Sequence, residues 1–366
     1  MLLYCYMDTD VILVGAGPIG IEVACALKHA GVRYVHIEAG QIGQTIYDWP
    51  RHARFFSSPE RVAIAGVPVQ TYDQEQLTGE TYLAYLRSVV EIHDLDIRLY
   101  ERVISAEKTD TGFTVVTSSR VSEHTYSSRY LVLATGDMNT PNRLGIPGED
   151  MPHVSHRFDE PHRYFKQKLL VVGGRNSALE AALRCFRAGS RVSLSYRRPY
   201  LDSARTNSRL HLELSILTKK NYVPFYPATV PVAIGSDWVD LAPAKQAATG
   251  SIDPGAVQRI EADFVLLLTG FQGDVSWLRN LGAEFHPDSE IPIIDQETME
   301  TTVPGLFLAG TAVSGNQQSY KVFVATAHEH GPRIARAISG TDSVPFGTVA
   351  SRRYPFTIRD ISPKDS

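Results

Sequence analysis

Gly15-Ala16-Gly17-Pro18-Ile19-Gly20, with Glu38 further on, is the set of residues in this chain whose types and spacing point most directly to chemistry. Glycines so spaced permit a tight turn, leave room for backbone to approach a pyrophosphate, and let a helix pack close to a strand. The start of the following helix would aim unpaired N–H groups and a partial positive charge at the phosphates. The carboxylate of Glu38 suits the two hydroxyls of an unphosphorylated ribose and repels a 2′-phosphate.

The pattern recurs, altered, at Gly173-Gly174-Arg175-Asn176-Ser177-Ala178. Arg175 takes the slot of the middle glycine, which narrows the backbone approach but offers a guanidinium to a phosphate. Where the first copy has Glu38, the second has Arg197-Arg198. That exchange favours a 2′-phosphate, hence NADPH. The first site then suits FAD. A flavin accepts hydride from nicotinamide and passes electrons onward, so the cofactors carry the chemistry and the protein orients them. No side chain is expected to react covalently, and no metal is expected.

Several elements must position these residues. Val11-Ile12-Leu13-Val14 and Leu169-Leu170-Val171-Val172 read as buried parallel strands, each leading into its glycines and then a helix. Tyr34–Ile37 and VSLSY read as the second strands of the two βαβ units. Tyr130–Gly136 and Phe264–Gly270 read as strands returning to each sheet, and Val303–Thr311 as a further strand ending in small residues. A helix is predicted over SYKVFVATAHEHGPRIARAI, its N-terminus after Gly315 facing the flavin. Val103, Ala134, Thr135, Gly136, Gly310 and Thr311 join Gly15, Gly17, Pro18, Ile19, Gly20 and Glu38 as expected FAD contacts. Gly173, Gly174, Arg175, Asn176, Ser177, Ala178, Arg197 and Arg198 are the expected NADPH contacts.

The expected fold is therefore α/β, with two three-layer Rossmann-like dinucleotide-binding domains. The FAD domain covers residues 7–155 and 284–345, the NADPH domain 156–283 is inserted in it, and 346–366 form a tail. Met7 is a plausible start for the protein. Gly145-Ile146-Pro147-Gly148 and Pro287 are the expected hinge elements. Composition agrees: 366 residues with 43% apolar side chains can bury two cores. A net charge of -4 gives no basic footprint for nucleic acid. No apolar run spans a membrane. Three cysteines without a CxxC pair point to a reducing, cytoplasmic setting.

The order of glycine motif, acid, ATG, second motif, arginine pair and GLFxAG resembles the two-dinucleotide flavoproteins of the thioredoxin reductase type. Ile46-Tyr47-Asp48-Trp49-Pro50 running into Phe55-Phe56-Ser57-Ser58, His156-Arg157-Phe158 through His162-Arg163-Tyr164-Phe165, and Gly174–Ala178 resemble the bacillithiol disulfide reductase family more narrowly. The resemblance implies an NADPH-dependent FAD enzyme that reduces a low-molecular-weight disulfide; a homodimer or homotetramer is the expected assembly. It also implies that the Tyr47–Ser58 loop borders the isoalloxazine ring, adding Tyr47, Ser57 and Ser58 to the FAD contacts. One departure stands out. The family has a cysteine just before the last glycine of the first motif, where this chain has Ile19. An isoleucine cannot form a mixed disulfide.

Cys25 and Cys185 fall inside helices and read as core residues, and Cys5 as terminal. His328 and His330, two apart on a helix, cannot share a tetrahedral metal. His153, His156 and His162 are candidates for lining the second domain's edge. The acceptor stays open between a small disulfide and another small oxidant. Two other readings remain: a flavin monooxygenase and a non-enzymatic redox sensor.

Overall fold

The computed structural model describes residues 6–287, 289–315 and 322–341. The described residues form two compact units: 49–51 and 141–270 make the second, and the rest make the first.

In the first unit β1 (Tyr6–Val14) leads into α1 (Pro18–His29) and then β2 (Tyr34–Ile37). β1 is parallel to β2, pairing Val11 with Tyr34 through Val14 with Ile37. β3 (Arg102–Lys108), β4 (Phe113–Ser118) and β5 (Glu123–Leu133) form an antiparallel meander. The eleven-residue β5 serves two neighbours on one side. Its first half pairs with β4, while Leu131–Leu133 pair in parallel with the short strand Leu306–Leu308. β1 lies along its other side. β1 starts at Tyr6, one residue before the expected first residue of the domain, because Tyr6 and Met7 pair with Thr125 and Tyr126.

The second unit holds an all-parallel sheet in the order 225–227, 191–196, 168–172, 264–267, 154–155. Alternate residues of the Lys168–Val172 strand point to opposite faces, and both faces are buried. Leu169 and Val171 pack with Leu179, Ala182 and Leu183 of the helix Asn176–Arg187. Leu170 and Val172 pack instead with Ile234, Val239, Leu241 and Ile260 of a separate three-stranded antiparallel sheet. The unit is thus three layers: helix, parallel sheet, antiparallel sheet.

Three expectations about elements differ from this architecture. The chain passes between units at 140/141 and 270/271, where the sequence placed 155/156 and 283/284. The reason is the edge strand Val154–Ser155, which completes the second sheet beside Val265 and Leu266. The expected hinge Gly145–Gly148 lies inside the second unit and is pinned. Glu149 accepts from the N–H groups of Leu144 (2.8 Å) and Gly145 (2.7 Å), and Gly148 sits on the Ile234 carbonyl. Pro287 lies within the first unit, away from either crossing. The last helix runs only over His330–Ser339, preceded by a 3-10 turn at Val324–Thr326. Pro332 explains the start: it fits the first helical turn, where its missing N–H would have no partner. The stretch 316–321, which holds the expected beginning of that helix, lies outside the described residues, as do Cys5 and the tail 346–366.

Two dinucleotide cradles

The first cradle is built on backbone. Gly15 has a φ of +104° and lies so close to β5 that a Cβ there would sit 2.4 Å from the Ala134 carbonyl oxygen. Gly20, in the first turn of α1, is pressed onto Gly15; a Cβ would be 2.0 Å from its carbonyl oxygen. Gly17 differs. A Cβ there would meet no protein atom within 4 Å. The open space in front of Gly17 is what a pyrophosphate needs, and α1 begins there with Pro18 in its first turn and no side chain capping its N–H groups.

Glu38, just past β2, closes one wall. Its Oε2 accepts from Ala16 N and its Oε1 from Gly40 N, both at 2.7 Å. Each oxygen keeps a lone pair able to accept from a further hydroxyl. His36, missed in the sequence, donates from Nε2 to the Gly15 carbonyl at 2.9 Å. Burial pushes the imidazole down to about 4 and the Gly15 carbonyl opposes this only partly, so the ring is neutral at pH 7. The signal was a lone polar residue in the apolar strand YVHI.

Around this core the other expected contacts take varied places. Ala134 donates its N–H to Val14 O at 2.8 Å, Thr135 O accepts from Asn139, and Gly136 lies 3.7 Å, by its absent Cβ, from Thr311 Oγ1. Gly310 and Thr311 open the 3-10 turn that follows Leu308. Gly310 donates to His330 Nδ1 at 3.1 Å, and Ile19 packs against its Cα. Burial, aided by the charges of Arg333 and His328, holds His330 down to about 4, so its Nδ1 is free to accept. Val103 is half-buried on β3 opposite Thr117, beside a bulge. Tyr47 ends a short helix with 68% of its surface exposed, and Ser58 precedes the turn of helix Pro59–Val62 without capping it.

In the second cradle Gly173 (φ +147°) sits on the Leu268 carbonyl and against Ala178 Cβ, while Gly174 lies over the Tyr196 ring. Arg175 is the N-cap residue of the helix Asn176–Arg187, with an extended backbone and no side-chain cap. Asn176 Oδ1 accepts from Asn207 N, and Ser177 is exposed. Burial first, and then the charge of Arg205, depress the Arg175 guanidinium; Tyr196 opposes them, and Arg198 and Arg197 add smaller downward pushes. Four arginines therefore crowd one site. Asp202 partners two of them, Arg205 at 3.3 Å and Arg198 at 3.9 Å. Arg205 and Asp202 were not read from the sequence.

The two described thiols lie in the cores. Burial raises Cys25 to about 12, with a further push from Glu22, and burial raises Cys185 to about 12. Neither is a thiolate at neutral pH. In the second unit His153 lies 2.9 Å from the Gly235 carbonyl, His156 lies 3.4 Å from Glu149, and His162 opens a 3-10 turn. Among the described residues no helix is long and apolar enough to cross a membrane.

A stability prediction arises from His36. Its folded pKa lies below the unfolded value, so the unfolded state gains protons first as pH falls from about 6.5 toward 4, and stability is lost across that window. At pH 5 the loss from His36 is about 2 kcal/mol. Urea unfolding at pH 7.5 and pH 5 should show a smaller difference in His36→Gln than in the parent. An identical difference would remove the histidine from the account.

Residues 12–310 match the family described as pyridine nucleotide-disulphide oxidoreductase. The chain is 32% identical to the bacilliredoxin reductase Bdr of Bacillus subtilis over 335 residues, covering 91% of this chain and 98% of that protein. It is 26% identical to a ferredoxin–NADP reductase of Ignicoccus hospitalis, over 82% of this chain and 89% of that one. The solved bacillithiol disulfide reductase Bdr of Bacillus cereus superposes with a TM-score of 0.85 at 29% identity, covering 91% of this chain and 99% of that one. With two βαβ cradles of this construction, the chain belongs to the pyridine nucleotide-disulphide oxidoreductase family and is an FAD-dependent NADPH oxidoreductase.

Proposed function

We propose that the first cradle holds FAD, the second holds NADPH, and the electrons leave to a small disulfide of the bacillithiol type. The observation that carries the cofactor assignment is the opposite charge of the two ribose walls: Glu38 in one, and Arg175, Arg197, Arg198 and Arg205 in the other. When bound, the flavin accepts hydride and releases electrons to the acceptor. The chain's own residues bind and orient. Gly17 and the start of α1 receive the pyrophosphate, Glu38 the ribose, and Tyr47, Ser57 and Ser58 border the ring system. The arginines receive the 2′-phosphate. The disulfide acceptor is supported by the likeness to the Bdr proteins of Bacillus subtilis and Bacillus cereus. On this reading the protein is a cytoplasmic homodimer or homotetramer, which light scattering of the full chain would test.

A second reading has the electrons pass to a ferredoxin, as the name of the Ignicoccus relative indicates for that protein. The observation favouring it is chemical: Ile19 replaces a thiol, and the two described cysteines are buried and protonated. Anaerobic mixing with NADPH, then with bacillithiol disulfide or an oxidised ferredoxin, separates the two. Rapid bleaching of the flavin colour with recovery on disulfide supports the first; recovery on ferredoxin alone supports the second. If Ile19 is what limits disulfide turnover, Ile19→Cys should raise it about tenfold or more. An unchanged rate would count against a small disulfide as the substrate.

A further inference from the structure

Glu22 and His328 form a buried pair that no step above uses. Glu22 sits on α1, two residues past Gly20, and both side chains are almost fully enclosed. Glu22 Oε2 lies 3.1 Å from His328 Nδ1, and Glu22 Oε1 accepts from Ala65 N at 3.0 Å. His328 Nε2 lies 2.9 Å from the Arg61 carbonyl. A carbonyl only accepts, so Nε2 must donate; a carboxylate also only accepts, so Nδ1 must donate as well. While Glu22 is the carboxylate, the arrangement is complete only with an imidazolium.

What the pair ties together matters for the first cradle. Ala65 has a φ of +50° beside Gly66 at +69°, a left-handed turn that an alanine adopts only when its surroundings hold it. Glu22 holds it, together with Tyr85, whose hydroxyl accepts from Ile64 N and donates to the Val67 carbonyl. That turn ends the segment running from Ser57 and Ser58. On the other side, His328 is two residues before His330, which receives the Gly310 N–H. Gly331 brings the last helix against α1, where a Cβ would meet the Glu22 backbone at 3.2 Å. One carboxylate thus fastens the 58–65 segment and the start of the last helix to the helix that opens the nucleotide cradle.

We propose that the Glu22–His328 pair is a positioning element for FAD, holding these two segments in place only while His328 carries both protons. The inference rests on the reading that FAD occupies the first cradle. The titratable groups facing His328 are Glu22 on α1, Glu329 beside it and His330 beyond it, with Arg61 supplying its carbonyl. Burial alone would lower His328, but the bond to Glu22, the charge of Glu22 and the Arg61 carbonyl outweigh it and raise the ring above its ordinary 6.5. A raised histidine contributes its stabilisation below the unfolded value and loses it as pH climbs through the folded one.

The test is FAD release from the full chain, followed by flavin fluorescence between pH 6 and 9. In the native protein release should accelerate about tenfold as pH rises above 6.5. In Glu22→Gln and His328→Gln it should already be fast at pH 6 and vary little with pH. A native release rate flat across this range, or variants that keep the native pH profile, would overturn the proposal. Should the variants not fold, nitrogen NMR of His328 in the native chain decides: a ring protonated at both nitrogens at pH 6 is expected, and a neutral ring there overturns it. A purified chain that holds no FAD at any pH is a distinct outcome; it defeats the assignment of the first cradle and this inference with it.

Discussion

Replacing Arg197 and Arg198 together with alanine should lower kcat/KM for NADPH about 100-fold while leaving that for NADH within about threefold. A hydrogen bond to a charged group is worth about 1.5–3 kcal/mol, and about 2.7 kcal/mol corresponds to a factor of 100. Arg197 is exposed and Arg198 half-buried, so solvent screening argues for that total rather than double it. The structure adds a reason to expect discrimination rather than general loss. Arg175, Arg197, Arg198 and Arg205 lie close enough for three of them to disfavour the charge on Arg175, with one carboxylate, Asp202, within reach of two. An unliganded cluster of that kind gains most from a doubly charged phosphate, which NADPH carries and NADH lacks. Stopped-flow reduction of the flavin by each nucleotide reads the effect, and raised salt should shrink the native preference. Equal losses for the two nucleotides would mean that the arginines serve the fold or the pyrophosphate, and that the second cradle is not selective.

The two cradles were legible in the sequence because their determinants are local. Strand, glycines, helix and wall residue follow each other within one βαβ unit. The extent of the units was not legible. The strand Val154–Ser155 is two residues long and shows no period, yet residues 141–155 belong with it to the second unit. The last helix misled for a related reason: apolar spacing continues through Val322–Ala327, whereas the helix begins only at His330. Glu22 and His328 are 306 positions apart, so nothing in the local pattern marks either as a partner of the other. His36 was hidden by its strand, since a buried histidine and a core residue occupy the same slot in the alternation. Legibility therefore failed wherever a contact was made by folding rather than by sequence proximity.

The three glycines of the first motif, which look alike in the sequence, should behave differently when each becomes alanine. Gly20→Ala should cost about 3 kcal/mol or more. Its Cβ would lie 2.0 Å from the Gly15 carbonyl oxygen and 3.3 Å from Ala134 Cβ, and the obstacle is backbone, which cannot turn aside as a side chain would. Gly15→Ala meets both a 2.4 Å clash and a φ of +104°, so it should be at least as damaging. Gly17→Ala is the informative case. Its φ of -72° suits any residue, and no protein atom lies within 4 Å of the added methyl group. The FAD-free chain should keep its stability within about 1 kcal/mol, the cost of a poorer N-cap. FAD binding, however, should weaken about 100-fold or more, because the methyl group would occupy the space left for the pyrophosphate. Urea unfolding of the FAD-free protein and fluorescence titration with FAD give the two numbers separately. A Gly17→Ala protein that binds FAD as tightly as the parent would show that the phosphates lie elsewhere, however well the fold is matched. A variant that unfolds without FAD would instead mean that Gly17 is a packing position like its neighbours, so only the combination of intact stability and lost affinity supports the site as drawn.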